Sequence, residues 1–473
     1  MKEEIEKQTI ILFGATGDLA KRKLLPALAK MFENGQLNDM PIIATGRQEL
    51  STEEYLDEMD FKKICKGEHL DQFKKQISYH SLPVDMKDAE KLYEIVSKAD
   101  KKHNCKGNTL FYLSIASELF IPSLDMIEKS GLLKNGKNKI AFEKPFGHDL
   151  KSSENLNKEI MNHFKEEEVY RVDHYLGKEL VENIIVFRFS NAIFEEVWNN
   201  KFVDNIQITL MEELGVINRG EYYDATGAIR DMVQNHMLQL LSLTTMEFPE
   251  CIGPKCVRDE KLKVLKKIKI PKKEDIVVGQ YEGYHSEKSV SPDSNTETFV
   301  AFKTEIKNKR WKGVPIYLRT GKSLEKKYSE INIILKDVSH KLFAQPNTLR
   351  DNNVISIRIE PQDGLVIKFN AKKPETREEL YPVAMEFCHE CEFGGNTPQA
   401  YETLLPEILK GNQTLFARSD EIRESWKFTD KLRNTIKNKK PIIYKKGSSG
   451  PKEADELLQK SKHHWIKIMR KFS

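Results

Sequence analysis

The chain opens with a strand, a turn that contains two glycines, and a helix. The run Thr9–Phe13 is rich in β-branched residues, the turn spans Gly14–Ala20, and Lys21–Phe32 carries apolar residues at helical spacing. This order is typical of the start of a dinucleotide-binding unit, because glycines let backbone N–H groups and the helix N-terminus come close to a pyrophosphate. The match to the G-x-G-x-x-G pattern is imperfect, since Leu12 stands where the first glycine belongs. The turn alone therefore predicts an α/β fold, and it is only moderate evidence for a dinucleotide-binding site.

The alternation of strands and helices continues beyond this first unit. Further strands are predicted over 41–45, 76–84, 109–114, 139–142 and 169–172, and helices over 88–100, 120–130 and 152–164. The short loops between them predict a mainly parallel, doubly wound sheet, in which ligands bind at the carboxyl ends of the strands. Residues 1–176 are therefore predicted to form a Rossmann-like, dinucleotide-binding α/β domain.

The pattern changes at about residue 177. One long helix is predicted over 226–243, and strands are predicted over 203–210, 298–306, 315–319, 329–335, 354–359 and 365–370. Alternating strands of this kind indicate a large, mostly antiparallel sheet. We expect residues 177–473 to form an α+β domain that binds the substrate. Because a broad sheet face suits self-association, we also expect a homodimer or a dimer of dimers.

The composition excludes several classes of protein. The 473 residues suffice for two or three domains, and the hydrophobic (39%) and charged (31%) fractions are those of a globular chain. A net charge of +4 gives no argument for a nucleic-acid partner. No window is apolar enough for a membrane span, and residues 1–8 lack the apolar run of a signal peptide. The sequence therefore predicts a cytoplasmic protein with no membrane partner.

Six cysteines are sparse for this length and are typical of reduced thiols. Cys388 and Cys391 form a single C-x-x-C pair without the second pair that a zinc site requires. We therefore predict no metal site and interpret the two residues as strand cysteines.

The stretch Arg171–Glu179, which begins in the last predicted parallel strand, is too polar for an ordinary core strand. Burying so many polar groups is costly unless each has a partner, and a functional site supplies partners. His174, Tyr175 and Lys178 offer an imidazole, a hydroxyl and a flexible positive charge, which together could hold a phosphate. Asp173 would then orient another group. The alternative is a charged edge strand exposed to solvent, but the position at a strand's carboxyl end favours a ligand site.

The end of the second strand carries Arg47 and Gln48, where NAD-binding units usually place an acidic residue. A guanidinium group matches the 2′-phosphate of NADP in charge and planar geometry. An exposed arginine without a ligand is the alternative. Gln48 is neutral and can hydrogen-bond a ribose, so the sequence predicts NADP as cofactor and leaves NAD possible.

Five motifs occur in one order and together resemble the glucose-6-phosphate dehydrogenase family. They are Gly14–Ala20, Glu143–Gly147, Arg171–Glu179, Arg230–His236 and Tyr317–Lys322. The resemblance extends from about Thr9 to about Pro451, and the Asp-His-Tyr-Leu-Gly-Lys-Glu segment is its most specific part. It implies oxidation of D-glucose 6-phosphate at C1 to 6-phospho-D-glucono-1,5-lactone with hydride transfer to NADP, the first step of the oxidative pentose phosphate pathway.

The resemblance also implies roles for individual residues. His236 corresponds to the general base, for which an unperturbed pKa near neutrality is suitable, and Asp173 corresponds to the carboxylate that supports it. The expected substrate-binding residues are Lys144, His174, Tyr175, Lys178, Glu212, Asp231, Lys322 and Lys327. The expected cofactor-binding residues are Gly14, Ala15, Thr16, Gly17, Asp18, Leu19, Lys21, Arg47 and Gln48, with Lys144, Asp85 and Met86.

Each role has a plainer alternative. Without the resemblance, His236 would more often be a hydrogen-bonded core histidine, and Lys322 and Lys327 would be solvated lysines. Glu212 adjoins Glu213, and sequence spacing cannot say which one points inward. A second, structural NADP site is not matched by enough residues to be predicted, and the segment 375–397 receives no role.

Two other functions compete with the leading one. A reductase of non-phosphorylated sugars would share the dinucleotide fold, but it would have no use for a phosphate grip. A redox-sensing binding protein would keep the cofactor fold without chemistry, but the presence of both Asp173 and His236 disfavours it.

Overall fold

The computed structural model describes residues 5–37, 39–59, 68–337, 352–376, 379–394 and 398–466. The chain divides into two units. Unit 1 comprises Met1–Lys178, Cys251–Arg258 and Pro398–Arg423, and unit 2 comprises Glu179–Glu250, Asp259–Thr397 and Glu424–Ser473. The boundary after residue 176 stays a prediction, and the two later segments of unit 1 are not indicated by the sequence pattern.

Unit 1 is built on a six-stranded parallel sheet, as the βα alternation predicted. The strands are β1 (Thr9–Phe13), β2 (Ile42–Gly46), β3 (Ile77–Ser81), β4 (Thr109–Leu113), β5 (Asn138–Glu143) and β6 (Val169–Val172). Their order across the sheet is β3-β2-β1-β4-β5-β6. The chain reverses direction across the sheet at β1 and β4, which pair in parallel from Thr9–Thr109 to Phe13–Leu113. A dinucleotide-binding sheet opens a crevice at this reversal.

Unit 2 is built on a nine-stranded sheet. Its strands are β7 (Val203–Met211), β8 (Ile276–Tyr281), β9 (Phe299–Thr304), β10 (Ile316–Gly321), β11 (Tyr328–Leu335), β12 (Val354–Glu360), β13 (Gly364–Lys372), β14 (Leu380–Cys388) and β15 (Ile442–Tyr444). Their order is β14-β13-β12-β11-β7-β10-β9-β8-β15. Only the β7–β10 and β8–β15 pairs among these strands are parallel, so the prediction of a mostly antiparallel sheet is confirmed.

Helices cover the sheets or connect the strands. They are α1 (Leu25–Glu33), α2 (Thr52–Asp57), α3 (Glu68–Lys74), α4 (Ala89–His103), α5 (Phe120–Ser130), α6 (Leu150–His163), α7 (Glu179–Ser190), α8 (Ala192–Glu195), α9 (Gly220–Ala228), α10 (Leu238–Thr245), α11 (Pro254–Leu265), α12 (His389–Phe393), α13 (Ala400–Lys410), α14 (Ser419–Ile436) and α15 (Glu453–Gln459). In the described part of the chain, no helix is long and apolar enough to cross a bilayer.

The long helix predicted over 226–243 differs from the observed one. Gly227 interrupts it with a φ of +71°, and a π-helical segment, Ile229–Met237, leads from there into α10. A Cβ atom at Gly227 would lie 2.5 Å from Oε1 of Glu297, so glycine is required both for the backbone conformation and for the close approach. Apolar periodicity does not indicate such a break, because the break is imposed by Glu297, which is distant in the sequence.

The alternative of a solvated edge strand at 171–179 is wrong. β6 does lie at the edge of its sheet, but Arg171 and Asp173 are 2% and 3% exposed. The Arg171 guanidinium makes two hydrogen bonds to the Glu166 carboxylate, of 2.6 and 3.0 Å, and a third of 2.7 Å to Asn157. Arg171, which had no role at the level of sequence, therefore stabilises the edge of the sheet through a paired, buried charge.

The expectation of reduced thiols differs from the structure at four cysteines. Cys251 is disulfide-bonded to Cys256, and Cys388 is disulfide-bonded to Cys391, while Cys105 is free and buried. Local turns bring the Cα atoms of the two pairs to 5.6 and 5.2 Å, which is within disulfide range. Composition reports only the average behaviour of thiols and cannot detect this local geometry. Cys388 ends β14, but Cys391 lies in α12, so the interpretation of both as strand cysteines is half right.

Candidate functional site

The turn after β1 places the first group of predicted cofactor residues at the carboxyl edge of the parallel sheet. Gly14 adopts a φ of +76°, and a Cβ atom there would lie 2.5 Å from the backbone oxygen of Ser114. Ala15 donates its N–H to the oxygen of Thr45 at 2.8 Å, and Gly17 donates to Gly14 at 3.0 Å. The turn is thus fixed by the neighbouring strand ends.

The other residues of this turn face outward to different degrees. Thr16 is half-buried, Asp18 is exposed, and Leu19 is half-buried before the π-helical segment Ala20–Leu24 begins. The ammonium of Lys21 lies 2.5 Å from the carboxylate of Glu58. The turn and the start of the helical segment after it lie at the edge where a parallel sheet of this kind binds a pyrophosphate.

The two neighbouring strand ends supply the remaining cofactor candidates. Arg47 and Gln48 are exposed directly after β2, and the Gln48 backbone oxygen accepts the hydroxyl of Tyr79 at 2.8 Å. Asp85 caps a short turn by accepting the N–H of Lys87 at 2.9 Å, and Met86 is 47% exposed. An exposed cation beyond β2 is available to an anionic group, whereas the carboxylate of Asp85 is already used by its own turn.

The residues after β6 form a tight turn that groups the predicted phosphate-binding side chains. Asp173 Oδ1 accepts the N–H of Tyr175 at 3.0 Å, and the Asp173 backbone oxygen accepts the N–H of Leu176 at 2.9 Å. The ring centroids of His174 and Tyr175 are 5.1 Å apart, and the Lys178 ammonium lies 4.0 Å from the Tyr175 centroid. The imidazole, phenol and ammonium groups therefore lie together, as one anion-binding cluster requires.

Gly177 explains the sharpness of this turn. A Cβ atom there would lie 2.5 Å from Cγ of Leu404 and 2.6 Å from the backbone oxygen of Ala400. Both residues lie on α13, so only glycine lets the turn pack against that helix.

The end of β5 carries Lys144, which is half-buried and precedes Pro145 through a cis peptide bond. Glu143, immediately before it, opens the Glu143–Gly147 motif but had no predicted role of its own. Its Oε1 accepts the hydroxyl of Tyr112 at 2.7 Å and the hydroxyl of Tyr401 at 3.1 Å. In the sequence, Glu143 is marked by its place in that motif and at a strand's carboxyl end, beside Lys144.

In unit 2, the structure brings three predicted substrate residues together. The Lys322 ammonium lies 2.6 Å from Oε2 of Glu212 and 3.8 Å from Oδ2 of Asp231. It also lies 4.9 Å from the ring centroid of Tyr223, a residue that was not predicted. Glu213 is exposed, so the geometry decides which of the two adjacent glutamates belongs to this cluster.

These three residues come from elements that the sheet aligns. Glu212 follows β7 and Lys322 follows β10, and these strands run parallel with Met211 opposite Gly321. The Glu212 N–H donates to the Gly321 oxygen at 2.9 Å, which fixes the relative height of the two side chains. Two carboxylates beside one ammonium can each accept a hydrogen bond from a sugar hydroxyl while remaining charge-compensated.

Lys327 is placed differently from Lys322. Its ammonium lies 2.8 Å from Oε1 of Glu360, and its side chain is 62% exposed. The ion-pair partner of Lys327 is thus Glu360, whereas that of Lys322 is Glu212.

His236 is 1% exposed in the π-helical segment that begins at Ile229. The two ends of the surrounding helix are held by polar side chains from elsewhere in unit 2. At its start, the N–H of Ile229 donates to Oε1 of Glu297 at 3.0 Å. At its end, Arg188 donates to the backbone oxygens of Leu243 and Met246 at 3.0 and 2.8 Å.

Two buried tryptophans complete the end of this helix. The indole N–H of Trp198 donates to the oxygen of Thr244, and that of Trp311 donates to the oxygen of Thr245, each at 2.7 Å. Four carbonyls that a helix end leaves without partners are thus satisfied by side chains. The helix that carries Asp231 and His236 is clamped at both ends, which sequence periodicity did not reveal.

The chain is similar over nearly its whole length to proteins of known function. The glucose-6-phosphate dehydrogenase NAD binding domain model matches residues 11–183, and the corresponding C-terminal domain model matches residues 185–466. The chain is 39% identical to glucose-6-phosphate 1-dehydrogenase of Bacillus subtilis, covering 98% of this chain and 99% of that protein. It is also 39% identical to cytoplasmic glucose-6-phosphate 1-dehydrogenase 6 of Arabidopsis thaliana, covering 96% and 91%.

A solved structure described as glucose-6-phosphate dehydrogenase in complex with its substrate glucose-6-phosphate matches with a TM-score of 0.90 at 34% identity. The match covers 99% of this chain and all of that one. The reversing parallel sheet, its glycine turn and a separate α+β unit define a dehydrogenase that binds a nicotinamide dinucleotide. More narrowly, the chain belongs to the glucose-6-phosphate dehydrogenase family.

Proposed function

We propose that this protein oxidises D-glucose 6-phosphate at C1 to 6-phospho-D-glucono-1,5-lactone, the first step of the oxidative pentose phosphate pathway. The observation that carries the proposal is the cluster of His174, Tyr175 and Lys178 after β6, in which the Tyr175 ring lies 5.1 Å from the His174 ring and 4.0 Å from the Lys178 ammonium. Such a cluster suits a phosphate monoester and has little use for a neutral sugar. The family membership supports the same substrate.

His236 is proposed as the general base that takes the proton of the C1 hydroxyl as hydride leaves the carbon. An imidazole is a side chain suited to proton transfer near neutral pH, and a clamped helix limits the displacement of His236. Asp173 is proposed as the carboxylate that supports the charged histidine, while its own turn holds its Oδ1 atom in place. The bound nicotinamide supplies the hydride acceptor.

Glu212 and Asp231 are proposed to hydrogen-bond sugar hydroxyls, with Lys322 compensating their charge. Lys327 is proposed as a further basic contact, as the family resemblance implies. Lys144 is proposed to contact both sugar and cofactor from the end of β5.

NADP is proposed as the preferred cofactor. The residues proposed to bind the dinucleotide are Gly14–Leu19, Lys21 and Lys144. Further proposed contacts to the cofactor are Gln48, Asp85 and Met86. Arg47 is assigned to the 2′-phosphate, because it is an exposed cation where an acidic residue would favour NAD.

A homodimer or a dimer of dimers in the cytoplasm is also proposed. The outer strand β14 exposes Tyr381 and Met385 by 52% and 56%, which supports association through this sheet. The cytoplasmic Arabidopsis relative supports the location. Light scattering during size-exclusion chromatography would test the assembly, and a monomer at micromolar concentration would contradict it.

The central experiment mixes the protein with D-glucose 6-phosphate and NADP and follows the absorbance of the reduced nicotinamide. Turnover is expected, with a far lower kcat/KM on free glucose because the phosphate cluster is then unused. Equal kcat/KM values on the two sugars would favour a reductase of neutral sugars, and absence of turnover would favour a binding protein.

A further inference from the structure

Two buried tyrosines connect the two loops that are proposed to bind the cofactor. Tyr55 lies in α2 and Tyr79 in β3, and they are 0% and 4% exposed. Their rings stack, with centroids 4.6 Å apart and an angle of 21° between the planes. Burial raises the pKa of both phenols, so both hydroxyls stay protonated and can donate hydrogen bonds at neutral pH. The partners of these hydroxyls show what the stacked pair holds.

The Tyr55 hydroxyl fixes the glycine turn after β1. It donates to the backbone oxygen of Ala15 at 3.0 Å, and the N–H of Ala15 donates to the backbone oxygen of Thr45 at 2.8 Å. Both backbone polar groups of Ala15 are thus engaged, and the turn cannot rotate here without breaking one of these bonds. Tyr55 is itself held in place, because α2 begins with a capping box between Ser51 and Glu54.

The Tyr79 hydroxyl fixes the loop after β2. It donates to the backbone oxygen of Gln48 at 2.8 Å. A Cβ atom at Gly46 would lie 2.8 Å from this hydroxyl, so the lack of a side chain there lets the phenol reach the loop. The N–H of Tyr79 donates to Oγ1 of Thr52, the first residue of α2, at 3.0 Å. The strand, the helix and the loop therefore meet at the same pair of rings.

We propose that Tyr55 and Tyr79 are positioning residues for the dinucleotide. Tyr55 keeps the turn Gly14–Ala20 in the shape that faces a pyrophosphate, and Tyr79 keeps the loop after β2 in the shape that presents Arg47 to the 2′-phosphate. Because the two rings stack, the turn and the loop are held at a fixed separation. Binding groups that are ordered before the ligand arrives lose less conformational freedom on binding, which raises the affinity. This inference rests on the proposed function for the identity of the cofactor.

The hydroxyl groups distinguish this role from simple filling of the core. A phenylalanine at either position would occupy nearly the same volume and could keep the ring stacking, and it would lose only the hydrogen bond to a loop carbonyl. A neutral hydrogen bond of this kind corresponds to roughly a three- to tenfold change in an equilibrium constant. Each tyrosine-to-phenylalanine variant therefore loosens one loop while the core stays packed.

Calorimetric titration of the full-length protein with NADP and with NAD, in the absence of any sugar, tests the proposal. Tyr79→Phe should raise Kd for NADP about three- to tenfold and Kd for NAD less than about twofold, because only NADP carries the 2′-phosphate. Tyr55→Phe should raise both Kd values by a similar factor, since both cofactors contain the pyrophosphate. Tyr93→Phe, at a 44% exposed tyrosine, is the control and should change neither Kd. Unchanged Kd values in either variant, or equal losses for the two cofactors in Tyr79→Phe, would overturn the proposal.

Steady-state kinetics separate positioning from a merely structural role. Both variants should keep kcat and KM for glucose 6-phosphate within about twofold of wild type, because neither hydroxyl bonds a residue that is proposed to bind the sugar. A parallel loss in every constant, together with a lower Tm, would contradict positioning and assign the hydroxyls to folding stability. If the wild-type protein does not oxidise glucose 6-phosphate but the Kd values change as expected, the proposed function fails while the role of the two tyrosines stands.

Discussion

The carboxylate of Glu297 accepts the backbone N–H of Ile229 at 3.0 Å, and Ile229 begins the helical segment that carries Asp231 and His236. The backbone oxygen of Glu297 also accepts the N–H of Ala228 at 2.9 Å. Glu297 lies two residues before β9 and thus caps a helix 68 positions earlier in the chain, where the helix dipole favours a negative group.

Removing this cap should reduce both stability and turnover. We expect Glu297→Ala to lower the free energy of unfolding by about 1 kcal/mol, the usual effect of losing an N-cap, and to reduce kcat more than it raises KM. Glu297→Gln keeps an acceptor oxygen and should recover most of both losses. Urea unfolding and steady-state kinetics measure them, with Glu282→Ala as an exposed control. A Glu297→Ala protein with wild-type kcat would show that the cap does not position the helix.

Stability should depend on pH through Glu143. Its pKa is about 7 in the folded protein, against an ordinary value of 4.5. A raised carboxyl pKa contributes stability that is fully present below the unfolded value and is lost as pH rises through the folded value. Between about pH 5 and about pH 8, the wild-type Tm should therefore fall relative to that of Glu143→Gln. Parallel Tm curves in a thermal-shift series would contradict this assignment.

Replacing the proposed base should affect the chemical step. His236→Asn should lower kcat by at least about 100-fold, the range for loss of a general base, with KM for glucose 6-phosphate near the wild-type value. His148→Asn, at a side chain that is 76% exposed, is the matched control and should change neither constant. A loss confined to KM would assign His236 to binding instead.

The phosphate cluster should act through binding. Lys178→Ala removes the ammonium above Tyr175 and should raise KM for glucose 6-phosphate at least about tenfold, since one charge-assisted contact is lost. Weak activity on free glucose should barely change, because that substrate has no phosphate. Lys151→Ala, an exposed lysine on α6, serves as control. Equal losses on the two sugars would argue against a phosphate contact.

Arg47 should discriminate between the two cofactors. Arg47→Ala should raise KM for NADP at least about tenfold and leave KM for NAD within about twofold, because only NADP carries a 2′-phosphate. NAD serves as the internal control for folding of the variant. Similar increases for both cofactors would move Arg47 away from the 2′-phosphate.

Much of the architecture could be predicted from local pattern. The strand Thr9–Phe13 and the helix Phe120–Ser130 have the predicted bounds, and most other boundaries in unit 1 differ by a few residues. The long helix was predicted as continuous, but Gly227 breaks it next to Glu297. Local pattern succeeds where apolar periodicity and glycine position decide the backbone, and it fails where a residue distant in sequence does.

The site divides in the same way. The chain itself determined which chemistry was available, since the Asp173–Lys178 stretch and the ordered motifs identified the family before any geometry was known. Only the tertiary structure placed Glu212 beside Lys322, paired Arg171 with Glu166, and gathered Tyr112 and Tyr401 around Glu143. The reason is physical: covalent order fixes residue types and spacing, whereas burial and hydrogen-bond partners depend on segments that meet only after folding.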